Sequence, residues 1–296
     1  MLDQSPRYGK GIVAVEDADR TLGAFTIEKL QDVFTTNAYE PPVLPAAAIE
    51  LLELSRRSNV SFADVRRVME RDPFIAAKVL RTAQSAAYTP TPNSIHSLDD
   101  ALVRLGLETL SLLFLEITMR LKVFRVPGYE EPMRQLARHS AATAHVARHL
   151  ARRTAFYDEH IFLCGLLHDV GIAASLIAFT EQARGQHLPT FAEVWPVVSE
   201  IHSLASETVC RAWRLPSDVI LAVGRHHSPL IRAQVHGVAA VLSIADWLVG
   251  QLGHGMADEL DEMPSARQFE VIGVSGEKAI AALYREVQPV LARVDA

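Results

Sequence analysis

Apolar residues recur every three to four positions along most of the chain, which is the spacing of amphipathic helices. The prolines at positions 41, 42 and 45 exclude a helix there, and the pattern beyond them predicts short helices around residues 49–54, 65–69 and 75–80. A longer pattern covers residues 97–122 and is interrupted at Gly106. Further helices are predicted at 132–153, 158–177, 190–212, 216–226, 235–252 and 276–293. Because the two-residue alternation of strands is almost absent, the sequence predicts an all-α fold.

Two of the predicted helices have capping signals at their starts. Ser61 is followed three residues later by Asp64, which is the spacing of a capping box. Asp72 precedes Pro73, a residue that suits the first helical position. Both signals predict where a helix begins.

Two breaks divide the chain into three parts. The first is the proline cluster after residue 40, and the second is Pro127-Gly128, which ends the long helical pattern. We therefore predict an N-terminal extension over residues 1–40, a first helical half over 41–127 and a second helical half over 128–296. Since no repeat of fixed length is present, we expect two tightly packed helical subdomains rather than a solenoid.

Composition narrows the class of protein. Of the 296 residues, 49% are apolar, and the formal net charge is −6. This composition suffices for a buried core and disfavours nucleic acid or an anionic membrane as the main partner. The two cysteines do not form a CxxC pair, and the first ten residues lack the apolar core of a signal peptide. We expect a cytoplasmic protein with no membrane or nucleic-acid partner.

The clearest chemical signal is the pair His168-Asp169, which closes the apolar run Ile161 to Leu167. Burying an imidazole and a carboxylate is costly without partners, and a divalent metal would offset that cost. Two ions sharing Asp169 would activate a water toward a phosphoester, and imidazole and carboxylate ligands suit manganese, iron or zinc. The alternative is that His168 and Asp169 only hydrogen-bond each other in the core. Further candidate ligands lie on separate predicted helices: His139, His202, His226, His227 and Asp246.

Basic residues near the candidate ligands can be explained with or without a functional role. Arg138 and Arg225 each flank a candidate ligand and are candidates for contacting phosphate, with an ordinary surface role as the alternative. His145 and His149 have helical spacing but no third ligand nearby in sequence, so we predict no metal site there.

Short motifs follow one another in a fixed order along residues 41–246. They are Pro42 to Pro45, Arg71-Asp72-Pro73, Leu80 to Ala86, Ser97 to Ala101, Leu105-Gly106, His139-Ser140, Gly165 to Gly171, His202, Trp213 to Pro216 and His226-His227. This ordered series resembles the HDOD family, a bacterial signalling relative of the HD phosphohydrolases and of the HD-GYP phosphodiesterases that cleave cyclic di-GMP. The resemblance implies an HD-type helical bundle and a role in signal transduction.

The resemblance also implies a set of metal ligands. If the chain is active, His168 and Asp169 would be catalytic. The sequence departs from HD-GYP enzymes at Ile172, where those enzymes have a lysine that supports the scissile phosphate, and it lacks the GYP loop. Gln135 stands where some trinuclear relatives have a glutamate. The implied ligands of one or two divalent ions (iron, manganese, zinc or similar) are His139, His168, Asp169, His202, His226, His227 and Asp246.

The sequence leaves two main functions open. One is a regulatory module that docks a signalling protein and uses metal for structure. The other is a metal-dependent phosphohydrolase or phosphodiesterase acting on a nucleotide or a cyclic dinucleotide. A nucleotide receptor that binds without cleaving lies between them. Whether the protein is an enzyme stays open at this point.

Overall fold

The computed structural model describes residues 27–36, 40–41, 45–55, 59–85, 88, 95–155, 160–183, 187–256, 262–292 and 294. Most of the predicted N-terminal extension lies outside the described residues, as do residues 42–44 of the motif Pro42 to Pro45 and Ala86 of the motif Leu80 to Ala86.

Helices account for nearly all regular structure in the described ranges, which confirms the all-α prediction. The one described sheet is an antiparallel hairpin of two short strands. In chain order the elements are α1 (Ile27–Thr35), α2 (Ala46–Ser55), α3 (Phe62–Glu70), α4 (Pro73–Ala83), α5 (Leu98–Lys122), α6 (Glu130–Ala151), α7 (Ile161–Leu167), α8 (Val170–Gln182), α9 (Phe191–Ala212), α10 (Ser217–Gly224), β1 (Leu230–Ile231), β2 (Gln234–Val235), α11 (Gly237–Val249), a π-helical turn (Gly250–His254), α12 (Ala266–Val271) and α13 (Glu277–Leu291).

The capping signals begin α3 and α4 as predicted. The Ser61 hydroxyl accepts a hydrogen bond from the backbone N–H of Asp64, and the Asp64 carboxylate accepts from the backbone N–H of Ser61 at 3.0 Å. The Asp72 carboxylate accepts from the N–H of Ile75 at 3.1 Å, with Pro73 in the first helical position. Each cap satisfies backbone donors that a helix start leaves without partners.

The long helix α5 is kinked at Gly106, as the pattern predicted. Gly106 has a φ of 79°, a left-handed value that costs glycine little. Beyond the kink, α5 continues to Lys122 and contacts α6, so it links the two predicted halves.

Two hydrophobic clusters form the core. The smaller cluster joins α2 to α5 and includes Val68, Ile75 and Phe114. The larger cluster joins α6 to α13 and also takes in Leu30 and Phe34 of α1. The domain boundaries drawn from the sequence stay a prediction.

The centre of the larger cluster is the apolar stretch Ile161–Glu181. This stretch is long and apolar enough to cross a membrane, but 94% of an 18-residue apolar window within it is buried inside the protein, so its composition is that of a core segment. The prediction of one helix over 158–177 was wrong, because α7 ends at Leu167 and α8 begins at Val170. The break falls at the pair His168-Asp169.

The pattern also missed two small elements. The hairpin turn uses Arg232 and Ala233 with φ values of 49° and 64°, and neither residue is a usual turn signal. Helix α12 has six residues, which is too short for an apolar repeat to show.

Candidate metal centre

The pair His168-Asp169 occupies a turn in the middle of the core. The backbone of Asp169, with φ −107° and ψ 15°, is not helical, and this separates α7 from α8. Both residues are nevertheless buried, with 0% and 6% of their surfaces exposed. The turn therefore holds an imidazole and a carboxylate at the junction of four helices, α6, α7, α8 and α9.

Two glycines let these helices approach closely. A Cβ atom on Gly165 would lie 2.4 Å from the Cα of Ala144, so α7 can pack against α6 only without a side chain there. A Cβ on Gly171 would lie 2.1 Å from the carbonyl oxygen of His202 on α9. The backbone N–H of Gly171 also donates to the Ser206 hydroxyl at 2.8 Å. The two glycines that flank His168 thus let α6, which carries His139, and α9, which carries His202, pack close to the pair His168-Asp169.

Four imidazoles are oriented in the same way, each with Nδ1 beside a main-chain carbonyl oxygen. An imidazole that donates from Nδ1 directs Nε2 to the opposite side, and a neutral ring keeps a lone pair there. The pairs are His139 with His254 (2.9 Å), His168 with Gly165 (2.8 Å), His202 with Ser199 (2.6 Å) and His226 with Val223 (2.6 Å).

The first ligand group comprises the Nε2 atoms of His139 and His168, Asp169 Oδ2 and Asp246 Oδ1. His139 Nε2 lies 3.0 Å from His168 Nε2, 3.1 Å from Asp246 Oδ1 and 3.4 Å from Asp169 Oδ2. His168 Nε2 lies 3.4 Å from each of the two carboxylate oxygens. Ligands about 2.1 Å from one ion and at right angles to each other are about 3.0 Å apart, so these spacings suit a shared cation.

The second ligand group uses the other oxygen of the same carboxylate. Asp169 Oδ1 lies 3.4 Å from His226 Nε2 and 3.5 Å from His202 Nε2. His202 Nε2 lies 2.9 Å from His227 Nε2, and the three histidines offer nitrogen atoms within 4.8 Å of one another. Asp169 therefore stands between the two groups, with one oxygen in each.

Two buried atoms of the second group show that these residues fit a metal. Asp169 Oδ1 and His226 Nε2 have no hydrogen-bond partner, although they lie 3.4 Å apart. Both are acceptors when the His226 Nδ1–H donates to Val223, so they repel each other unless a cation lies between them. Leaving such atoms buried and unpaired is costly, and a divalent ion would remove that cost.

The electrostatics of the first group point the same way. Burial disfavours a charged His139, but hydrogen bonds to Asp169 and Asp246 outweigh it and raise the pKa of His139 to about 10. Burial likewise opposes charge on Asp169 and Asp246, but the neighbouring imidazoles outweigh it and hold both carboxyl pKa values well below the usual range. The site thus binds positive charge strongly, as protons or as a metal ion.

Comparison with known proteins identifies the scaffold. The HDOD domain model matches residues 42–229, which is more than half of the chain. The chain belongs to the HDOD family.

Solved structures share the fold of this HDOD protein. An HDOD domain protein of unknown function from Geobacter sulfurreducens superposes with a TM-score of 0.67 at 21% identity, over 91% of this chain and 98% of that one. A protein from Shewanella amazonensis, provisionally named a metal-dependent phosphohydrolase, gives 0.64 at 20% identity over 94% and 99% of the two chains. A Marinobacter aquaeolei protein provisionally named for signal transduction gives 0.67 at 19% identity over 97% and 67%. No curated protein matches the chain.

A cavity of about 350 Å³ opens beside both ligand groups of this HDOD protein. Its wall includes His139, Asp169, His202, His227 and Asp246, together with Ser199, Ser203 and Trp195. Ile172 also lines the cavity, so its apolar side chain stands where the resemblance implied a lysine. No described lysine or arginine lines it: Arg138 and Arg225 have exposed side chains elsewhere, and their role in phosphate binding stays a prediction.

The remaining histidines of α6 have carboxylate partners outside the site. His145 Nε2 lies 3.1 Å from Glu116, and His149 Nε2 lies 2.6 Å from Glu286. The described clusters of metal-ligand type do not include either residue.

Sequence reasoning missed the main-chain support of the site. The π-helical turn brings the carbonyl oxygen of His254 to His139, and the carbonyl of Gly255 accepts from the Gln135 side chain at 2.7 Å. Gln135 thus fixes this turn to α6 rather than extending the ligand set. The positions of main-chain carbonyl groups cannot be predicted from the sequence. The one signal of the π-helical turn is Gly253, which has a φ of 87°.

Proposed function

We propose that this HDOD protein is a signal-transduction module with a two-ion divalent metal centre. One ion would be held by His139, His168, Asp246 and one oxygen of Asp169. The other would be held by His202, His226, His227 and the second oxygen of Asp169. The regulatory output would be the docking of another signalling protein.

The observation that carries the metal proposal is the convergence of lone pairs on one carboxylate. Four Nδ1–H groups are directed to carbonyl oxygens, which leaves four Nε2 atoms facing Asp169 and each other at 2.9–3.5 Å. Hydrogen bonds between the pair His168-Asp169 alone would not require further imidazoles from α6, from α9 and from the turn after α10. The arrangement supports a ligand set rather than a relic of the fold.

The walls of the cavity favour regulation over hydrolysis. A divalent ion would supply Lewis acidity toward phosphoryl oxygens. The protein would add little positive charge of its own to bind a phosphate, because the buried Ile172 is apolar and no described lysine or arginine faces the cavity. Phosphoryl transfer commonly uses such cations to neutralise developing charge.

Elemental analysis of the purified protein tests the metal. We expect about two ions per chain in the wild type and none in the His168→Ala, Asp169→Ala double variant. His145→Ala is the matched control, because His145 lies on the same helix as His139 but pairs with Glu116. Metal-free wild type, or equal loss in His145→Ala, would contradict the proposal.

A second candidate, a metal-dependent phosphohydrolase, is favoured by the cavity itself. The cavity reaches both ligand groups and is also lined by Ser199 and Ser203. Turnover of a nucleotide or cyclic dinucleotide by the metal-loaded protein, lost in the double variant and kept in His145→Ala, would establish this function. Absence of turnover across a nucleotide panel would leave the regulatory function.

A further inference from the structure

A second cavity, of about 530 Å³, lies where the two predicted halves meet. The last turn of α5, the connection after it and the first turns of α6 form its walls. We call it the arginine groove, because Arg120, Arg125 and Arg134 line it. Glu130 also lines it, and its carboxylate accepts a hydrogen bond from the backbone N–H of Gly128 at 3.1 Å. It is separate from the metal centre, with which it shares no lining residue.

Of the three arginines of this groove, one pairs with a carboxylate of the protein. Arg134 pairs with Glu131. The guanidinium groups of Arg120 and Arg125 make neither an ion pair nor a hydrogen bond with any residue in the described part of the chain. The nearby Lys122 differs, since its amine lies 3.5 Å from Asp72.

Helix dipoles explain only part of this placement. Arg120 lies in the last turn of α5, where a positive charge is favourable. Arg125 follows the end of α5, and Arg134 lies near the start of α6, where a positive charge gains nothing from the dipole. The dipole of α5 thus accounts for Arg120, and the ion pair with Glu131 accounts for Arg134, whereas neither accounts for Arg125.

The floor of the groove is apolar and fixed. Phe124, Val126 and Met133 line it and are 4%, 2% and 2% exposed, because they belong to the larger hydrophobic cluster. The half-buried Leu121 and the exposed Pro127 add accessible apolar surface to this floor. Together with the guanidinium groups of Arg120 and Arg125, this lining suits a ligand that has both an apolar part and carboxylates.

We infer that the arginine groove docks an acidic segment of a partner protein, with an apolar side chain over the floor and carboxylates on Arg120 and Arg125. This deepens the proposed docking function and rests on it. Charge complementarity favours a protein segment of this kind: the chain carries a net charge of −6, so an acidic partner is repelled by most of the protein and attracted here.

Fluorescence anisotropy tests the inference with a labelled synthetic peptide in which glutamates flank leucines. We expect saturable binding that weakens with added salt, and a loss of at least about tenfold in affinity in the Arg120→Glu, Arg125→Glu variant. Arg104→Glu is the control, because it makes the same kind of charge change at an exposed arginine near the start of α5. We expect that control to bind as the wild type does, apart from a small uniform effect of charge.

Several results would overturn the inference. The first is that the wild type shows no saturable binding. The second is that Arg104→Glu weakens binding as much as the Arg120→Glu, Arg125→Glu variant does. The third is that the wild type binds a peptide with glutamine in place of glutamate with equal affinity. Displacement of the peptide by ATP or inorganic phosphate at lower concentration than by unlabelled peptide would also overturn it, in favour of a small-anion site. Metal content measured on the same variants separates this outcome from a failure of the metal proposal, since the groove variants should keep their metal.

Discussion

Replacing Gly171 by alanine should remove one ion and keep the other. The new Cβ would lie 2.1 Å from the carbonyl oxygen of His202 and 2.5 Å from the backbone nitrogen of Ser206. Both atoms belong to the backbone of α9, so rotation of a side chain cannot relieve the contact. Helices α8 and α9 must separate by roughly 1 Å before the contact reaches an ordinary distance. This movement carries His202 away from Asp169 and leaves the first ligand group in place.

The cost in stability can be estimated from the same contacts. Overpacking costs about 1–3 kcal/mol, and loss of the hydrogen bond from Gly171 to Ser206 costs about 1 kcal/mol more. The better helix propensity of alanine offsets about 1 kcal/mol. We therefore expect the free energy of unfolding to fall by about 1–3 kcal/mol.

Elemental analysis and urea unfolding together measure both effects. Gly250→Ala is the matched control, because a Cβ at Gly250 meets no atom within 4 Å although that residue lines the same cavity. We expect about one ion per chain in Gly171→Ala and about two in Gly250→Ala. If Gly171→Ala kept both ions and unfolded like the control, the close approach of α8 and α9 would not be what positions His202.

Further predictions concern the chemistry of buried groups. Because the pKa of His139 is raised to about 10, its proton must leave before a metal binds, so metal affinity should rise by up to about tenfold per pH unit between about pH 6 and 9; calorimetry showing no pH dependence would contradict this. Asp246→Asn should lower the pKa of His139, measured by NMR of the metal-free protein, and remove the first ion, whereas the exposed Asp218→Asn should do neither. Cys164 and Cys210 are buried, and burial raises the pKa of the Cys210 thiol, so neither should react with a thiol reagent before unfolding; reaction in the native state would disprove the packing of α7 or α9.

The sequence predicted most of the described helices and which residue types could bind metal. Ser61 and Asp72 began their helices as expected, since caps depend on neighbours only a few residues away. The candidate ligands from His139 to Asp246 do converge, because each stood at the end of, or within, a strongly apolar helix that had to be buried.

The sequence did not predict how those ligands are arranged. The break at His168-Asp169 lacks glycine or proline, so the apolar pattern passes through it without a signal. The division of Asp169 between two ligand groups depends on which carboxylate oxygen faces which helix. The contact between Gly171 and His202 depends on packing between α8 and α9, which periodicity along a single helix does not encode.

The most direct test of the metal centre is an anomalous difference map from crystals of the purified protein. We expect two peaks on opposite sides of the Asp169 carboxylate, one between His139 and Asp246 and the other between His202 and His226. A map without a peak at either position, from protein purified without chelators and with divalent metal supplied, would contradict the metal centre and leave these histidines and carboxylates as a buried hydrogen-bonded network.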